Sequence, residues 1–444
     1  MVRRNNTWKA PLVCGLAVML AVSATACSKG ESASSGSTPK TDTKPKEPFE
    51  LVVYYGGTLD WNAETWNKVF TQPLQKKYPY MSFKFLNGAD GSIADLLAKG
   101  QTFDLVLGSI GVTPRDLLDT ELKYDISGLI KQRKLDLTAF DSNIIDAGTK
   151  LAKGGLYGLP LYLPPSTIYY SKDLFDKFGV AYPKDGSTWD DMYEMSKRLT
   201  RPDGQTNYYG FTLSFAHQVI MNQWSIPMTT ADGKSTFDTD ARWKEFTENL
   251  LRFYKLPGYD QIKRADLGLA PQRNMFSVSK TAAMHASLTS LLNADQLNGI
   301  NWELTTFPTL KGSKNGPQAY PNYLYITTSN KHKEDTLDAL AYWTSEEFQL
   351  ENSRTATFMT PLKSAKVKEA FSQDSTLYKG KNIKALWPQT YAPPIQIDQF
   401  TSAYNDYEPG MLDVITAGKD VNTMLREIAE KANKRIDDIK AKQK

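Results

Sequence analysis

The sequence predicts an α/β protein whose first half is a doubly wound, largely parallel sheet, and three observations carry that expectation. Leu51–Tyr55 is a short, unbroken apolar run, as suits a strand buried on both faces. Helical spacing follows it at once, and strand, helix, strand, helix, strand alternate through residue 107. Each strand runs out into Gly, Ser, Asn or Asp, the residues that turns at strand ends favour.

The elements begin with a leader. Arg3, Arg4 and Lys9 precede the apolar run Pro11–Val22, the order of basic and hydrophobic regions in a secretory signal. That run is shorter than the roughly 20 residues a membrane-spanning helix needs. Ala24-Thr25-Ala26-Cys27 then resembles a bacterial lipobox, whose cysteine is lipidated and becomes the first mature residue. Ala24 stands where that pattern usually has Leu, so cleavage near Ala26 by an ordinary signal peptidase is the alternative. Cys14 would leave with the leader, and lipidation explains a single remaining cysteine without a disulfide. Two lipid chains, at about 0.8 kcal/mol per buried methylene, anchor stably where one is marginal. Residues 28–48 contain no Val, Leu, Ile, Met or aromatic residue and read as a flexible tether. The expected order is a signal at 1–26, then the lipidated cysteine and tether at 27–48.

From Phe49 onward the spacing predicts a strand over 51–55 and a helix over 63–77 with Trp66, Val69, Phe70 and Leu74 on one stripe. A strand over 81–86 leads to a helix over 93–99, with Ser92 as its cap and Gly100 as its stop. The third strand covers 103–107. Further on, Thr188 caps a helix with an inner face of Trp189, Met192, Tyr193 and Leu199, and Pro202-Asp203-Gly204 makes a turn. Strand-like segments cover 210–214 and 281–285. Asp238 is expected to cap the helix carrying Trp243, Phe246 and Leu250. Asp232, Asp238 and Asp240 lack the full spacing of a calcium loop, so no metal is expected. No repeat of 20 to 50 residues is visible.

The part after the tether is too long for one ordinary core and implies two or three domains. Removing residues 1–26 takes away three basic residues and no acidic one, which lowers the formal charge from +4 to +1. Such a chain has no basic excess for nucleic acid, and none is expected as a partner. The three histidines, His217, His285 and His332, form no H-E-x-x-H pair, and no Walker loop or G-x-S-x-G occurs. No cofactor and no catalytic role are therefore expected. Two carboxylates suffice for glycoside hydrolysis, so an anchored glycosidase is the enzyme alternative.

A set of ordered motifs then resembles a known family. Tyr157-Gly158-Leu159-Pro160 is followed by Tyr169-Tyr170-Ser171-Lys172-Asp173-Leu174-Phe175, Gly179 and Thr188-Trp189-Asp190-Asp191. Asp203-Gly204, Tyr209-Gly210 and Ala282-Ala283-Met284 continue in the same order. Together they resemble the extracellular solute-binding proteins of ABC importers, in the carbohydrate-binding family related to maltose-binding protein. The resemblance covers essentially the whole mature chain. It implies a two-lobed periplasmic-binding-protein-like fold, each lobe a central sheet flanked by helices, with the ligand cleft between them. Connections between lobes would fall near Leu163, Gln318 and Ala356. Lobe 1 would then comprise 49–163 plus 319–356, and lobe 2 would comprise 164–318 plus 357–444. The resemblance also implies a lipid-anchored monomer on the extracellular face of the bacterial membrane, which closes on an oligosaccharide and delivers it to ABC permease subunits. A ligand-binding sensor of the same fold is the alternative outside transport.

Ligands of open α/β sheets sit beyond the carboxyl ends of the strands. This rule nominates Asp60 and Trp61 after the first strand, Asn87 after the second and Ser109 after the third. In the second lobe it nominates Phe215 and Ser287. A pyranose offers an apolar C–H face and a rim of hydroxyls, so its site needs flat aromatics and short polar groups. Tyr162, Trp224, Trp387 and Tyr391 join Trp61 and Phe215 as candidate platforms, although each also has a core-packing reading. Trp387 stands where the family often places a stacking Trp. Ser287-Leu288-Thr289 stands where maltose-binding protein has another, which argues against a maltodextrin.

Overall fold

The computed structural model describes residues 46–57, 61–387 and 390–442. The leader, Cys27, the tether up to residue 45 and Asp60 lie outside the described residues. In chain order the strands are β1 (Phe49–Tyr55), β2 (Met81–Asn87), β3 (Leu105–Ser109), β4 (Gly158–Tyr162), β5 (Ser166–Ser171) and β6 (Arg201–Asp203). They continue with β7 (Thr206–Leu213), β8 (Ala282–Leu288), β9 (Trp302–Thr305), β10 (Asn315–Gln318), β11 (Asn322–Ile326) and β12 (Thr390–Ala392).

Two five-stranded sheets result, ordered β2-β1-β3-β11-β4 and β6-β7-β8-β5-β9, with β10 and β12 as a small ladder between other elements. Their sequence explains the first sheet. Leu51 and Val53 are fully buried, and β1 pairs in parallel with both β2 and β3. The connecting helices lie where their caps put them. Ser92 accepts the Asp95 N–H to start the helix Ile93–Ala98, and Gly100, at φ +85°, follows its end. The helix expected over 63–77 spans 63–75 with a π-helical turn at Asn67–Thr71, and buries Trp66, Phe70 and Leu74.

Two expectations shift. The third strand begins at Leu105 because the Asp104 carboxylate, in place of a ladder carbonyl, takes the Val52 N–H at 2.8 Å. Its sheet is mixed, because β11 inserts antiparallel between β3 and β4. Asp238 caps no helix. The Thr236 carbonyl takes the N–H groups of both Thr239 and Asp240, which folds 236–240 into a turn. The helix Arg242–Tyr254 starts only after it, with the Asp240 carboxylate accepting the Arg242 N–H at 3.0 Å.

In the second sheet β7 and β8 run parallel, whereas β5 is antiparallel to β8 and β9. Thr188 and Asp191 form a reciprocal capping box on the helix Trp189–Leu199. Two motif glycines are required by close approach. A Cβ on Gly158 would stand 2.3 Å from the Leu324 carbonyl oxygen, and one on Gly210 would stand 2.5 Å from the Ser196 Cα. The chain passes between the sheets after β4 and again before β11. It passes a third time after the helix Glu346–Arg354, from the cluster around Phe348 to that around Phe371 and Tyr378. No helix among the described residues is long and apolar enough to cross a membrane.

Candidate ligand-binding cleft

The strand directions bring the relevant ends together. On the first sheet, Tyr55, Asn87 and Ser109 close β1, β2 and β3, and antiparallel pairing places Asn322 opposite both Ser109 and Tyr162. On the second sheet, β7 ends at Leu213, and β8 ends at Leu288, opposite Ser166.

A cavity of about 330 Å³ lies between residues of these two edges. Trp61 and Tyr162 contribute from the first sheet, and Thr289, Ser290 and Asn293 follow β8. Phe358 and Tyr378 add apolar surface from the third connection and beyond. The volume falls at the low end of the roughly 300–1,000 Å³ usual for small-molecule sites. The aromatic wall is rigid. Trp61 Nε1–H donates to Tyr162 Oη at 3.1 Å, and the rings meet edge-on at 5.9 Å. Phe70 and Phe358 flank the indole at 5.0 and 6.4 Å, so that Trp61 is only 6% exposed. Asn87 sets the backbone of this wall by donating Nδ2–H to the Trp61 carbonyl at 3.3 Å. Across the cavity, Asn293 Oδ1 caps the helix Ala294–Leu297. No carboxylate, imidazole or thiol occurs among the described residues lining the cavity. Flat carbon faces with amide and hydroxyl groups can hold a neutral, hydroxylated ligand.

The opposite flank of the two edges is built differently. Ser109 Oγ–H donates to Tyr320 Oη at 3.0 Å, and Tyr404 Oη–H donates to the Gly111 carbonyl at 2.7 Å. Gly111 cannot carry a side chain here, since a Cβ would lie 2.4 Å from Tyr320 Oη and 2.9 Å from Ile220 Cδ1. Beside them Arg115 grips the buried Asp116 carboxylate with two hydrogen bonds, of 2.6 and 2.9 Å. The bond to Asp116 raises the guanidinium's pKa, so Arg115 is charged. That carboxylate fills the place of a side chain on Gly56, where a Cβ would come 2.3 Å from Asp116 Oδ2. His217 meets the Tyr320 ring edge-on at 5.4 Å, and burial lowers its imidazole to about 4, so it is neutral near pH 7.

The ten residues expected at one site are not gathered in one place. Trp61 and Tyr162 line the cavity, while Asn87 supports it and Ser109 lies on the hydrogen-bonded flank. Asp60 lies outside the described residues. Phe215, expected as a platform, is fully buried against Tyr254 at 5.1 Å and shows no open face. Ser287 is corrected too. Because β8 runs on to Leu288, Ser287 is still inside the sheet, buried, with its hydroxyl donating to the Leu288 carbonyl. Trp224 packs edge-on against Phe246 and borders a different hollow, beside Glu245, Glu248 and Arg252. Trp387 and Tyr391 border a further cavity that shares no residue with the first. Thr289, Ser290, Asn293, Tyr320 and Tyr404 were not anticipated. The strand-end rule applied one turn later would have reached the first three.

Residues 60–350 match the model of the bacterial extracellular solute-binding protein family, and the chain belongs to that family. A mannitol-binding protein of Pseudomonas aeruginosa is 31% identical over 208 residues, which cover 44% of this chain and 46% of that relative. The chain thus spans about half the length of that curated relative. Among solved structures, an ABC substrate-binding protein from Listeria monocytogenes in complex with cycloalternan aligns with a TM-score of 0.71 at 15% identity. The alignment covers 88% of this chain and 99% of that one. An ABC transporter solute-binding protein of Agrobacterium vitis with bound D-mannitol gives a TM-score of 0.62 at 16% identity, with coverage of 88% and 99%. At such identities the likeness establishes the two-lobed fold.

Proposed function

We propose that this protein captures a short carbohydrate in the cavity at Trp61 and Tyr162 and presents it to the permease subunits of an ABC importer. The observation that carries the reading is the pairing of a fixed aromatic wall on one sheet edge with Thr289, Ser290 and Asn293 on the other. A ligand lying between them touches both lobes only when they approach, so its binding favours the closed arrangement. The names of the mannitol-binding relative and of the sugar-bound neighbours agree with a hydroxylated ligand. The lobes we assign are 49–163 with 319–356, and 164–318 with 357–444. Their support is that β1–β4 and β11 share one sheet while β5–β9 share the other. Anchoring through Cys27 would hold the binder beside its transporter at the outer face of the membrane, and a monomer suffices for this task.

A thermal-shift screen of mono- and oligosaccharides on the mature chain tests the reading. A ligand at 100 times its dissociation constant is expected to stabilise the protein by about 2.7 kcal/mol. The sugar should be recovered chemically unchanged. No stabilisation by any carbohydrate, together with stabilisation by a phosphate, polyamine or metal ion, would remove the carbohydrate assignment. Shortened sugar after incubation would turn it toward hydrolysis.

A further inference from the structure

The chain has a second cavity, of about 400 Å³, beside the connections between the sheets. Its walls include Leu163 from the first connection and Thr360 and Leu362 from the third, with Asn315 of β10 and Thr390 of β12. Alternation along extended chain separates it from the cleft, since Tyr162 and Pro164 line the first cavity and Leu163 lines the second. Polar groups without partners meet here. The Trp387 indole N–H, the Tyr391 hydroxyl and the Lys368 ammonium border the cavity, and none has a hydrogen-bond or ion-pair partner among the described residues. Asp141 engages Asn143 through Oδ1 only, which leaves Oδ2 as an acceptor. Burial and the nearby Asp141 charge raise the Tyr391 phenol, which keeps it a donor.

Donors and an acceptor that border a cavity without partners of their own are free to pair with a ligand that enters it. An anion would meet Asp141, and a cation would meet Lys368, so a neutral molecule with several hydroxyls fits both. The Trp387 and Tyr391 rings supply the flat faces that its C–H groups need. We propose that this cavity is a second binding site, for a monosaccharide or a small polyol, separate from the cleft. The proposal does not rest on the cleft reading, because the two cavities have no lining residue in common.

Calorimetric titration of the full mature chain with D-glucose, D-galactose and D-sorbitol tests it. Four proteins are compared: the parent, Lys368→Met, Tyr391→Phe and Trp61→Phe, each first shown by its melting curve to be folded. Lys368→Met removes no side-chain hydrogen bond or ion pair among the described residues, and Tyr391→Phe keeps the ring. The expected result is that at least one of the three compounds binds at a site that Lys368→Met and Tyr391→Phe each weaken by roughly tenfold, the effect of one lost hydrogen bond to a buried ligand. Trp61→Phe should leave that site unchanged. Binding that responds to Trp61→Phe alone would assign the sugar to the cleft and overturn the proposal. So would the absence of any Lys368- and Tyr391-dependent binding across the three compounds. A failed cleft reading would look different: the Lys368-dependent site would persist while no carbohydrate responded to Trp61→Phe.

Discussion

On one flank of the cleft Trp61 and Tyr162 hold an aromatic wall over a cavity of about 330 Å³, whereas on the other Tyr404 reaches across to Gly111, and Tyr320 bonds Ser109 on the same sheet edge. The first flank leaves space and keeps Thr289, Ser290 and Asn293 at its border. The second uses the Tyr404 hydroxyl as a link across the gap and leaves no room for even one methyl group on Gly111. One flank thus keeps an open volume, and the other is filled by its own side chains. A cleft needs both, because affinity for the closed form depends on contacts to the ligand and on contacts between the lobes.

The largest expected effect breaks the aromatic flank. Trp61→Ala should cost about 3–5 kcal/mol of stability, the range for a truncated core aromatic, because the indole packs on Phe70 and Phe358 as well as facing the cavity. Ligand affinity should fall in the fraction that remains folded. Denaturant melts and titration read the two losses separately, and a stability change within error would return Trp61 to a purely exposed role.

Tyr162→Phe is subtler. It keeps the ring but removes the acceptor of the Trp61 N–H, leaving a buried donor unmatched at about 1–3 kcal/mol. Tyr404→Phe removes only the donor to Gly111 and should cost about 0.5–1.5 kcal/mol. Its signature is a wider lobe arrangement by small-angle scattering with the ligand absent, which Tyr162→Phe should not produce. If both variants widened the protein equally, the two flanks would not have separate tasks.

The smallest effect at neutral pH concerns His217. Its folded pKa, about 4, lies below the ordinary 6.5, so the unfolded chain binds the proton first as pH falls. The group's contribution is full above about 6.5, declines between 6.5 and 4, and changes no further below 4. His217→Gln should flatten part of that slope in melting temperature and leave pH 7 almost unchanged. His285, lowered to about 3 by burial, adds a slope of the same sign between 6.5 and 3.

Local signals were read well from the sequence because local chemistry makes them. Ser92 and Thr188 cap helices through bonds within three residues, and Gly158 and Gly210 sit where backbone crowds them. Asp238 misled because a turn centred on the Thr236 carbonyl competes with the cap, and both are compatible with the same Asp-rich string. The site was legible only as far as the strand-end rule reaches. That rule reached Trp61, which lines the cavity, Asn87 behind it and Ser109 on the other flank, but a strand longer than its apolar core put Ser287 inside β8. Tyr404 bonds a carbonyl 293 positions away, and Tyr320 meets Ser109 across 211. Neither leaves a trace in its own neighbourhood. Trp387 and Tyr391 were singled out for their chemistry, and what they border is a cavity on the other side of the connections.

The antiparallel strand β11 has a bearing on how the protein is made. It lies between β3 and β4, so the first sheet stays split in two until residue 326 has left the ribosome. The buried bond between Thr113 and Tyr325 closes a span of 212 residues. Contacts of such range form slowly, since loop closure must be completed before pairing repays it. Between residue 162 and residue 326 the nascent chain therefore carries four strands of a sheet whose linking member, the one that joins β4 to β3, does not yet exist. The first sheet thus cannot be completed until nearly three-quarters of the chain has been made, whereas the strands of the second are all present by residue 305.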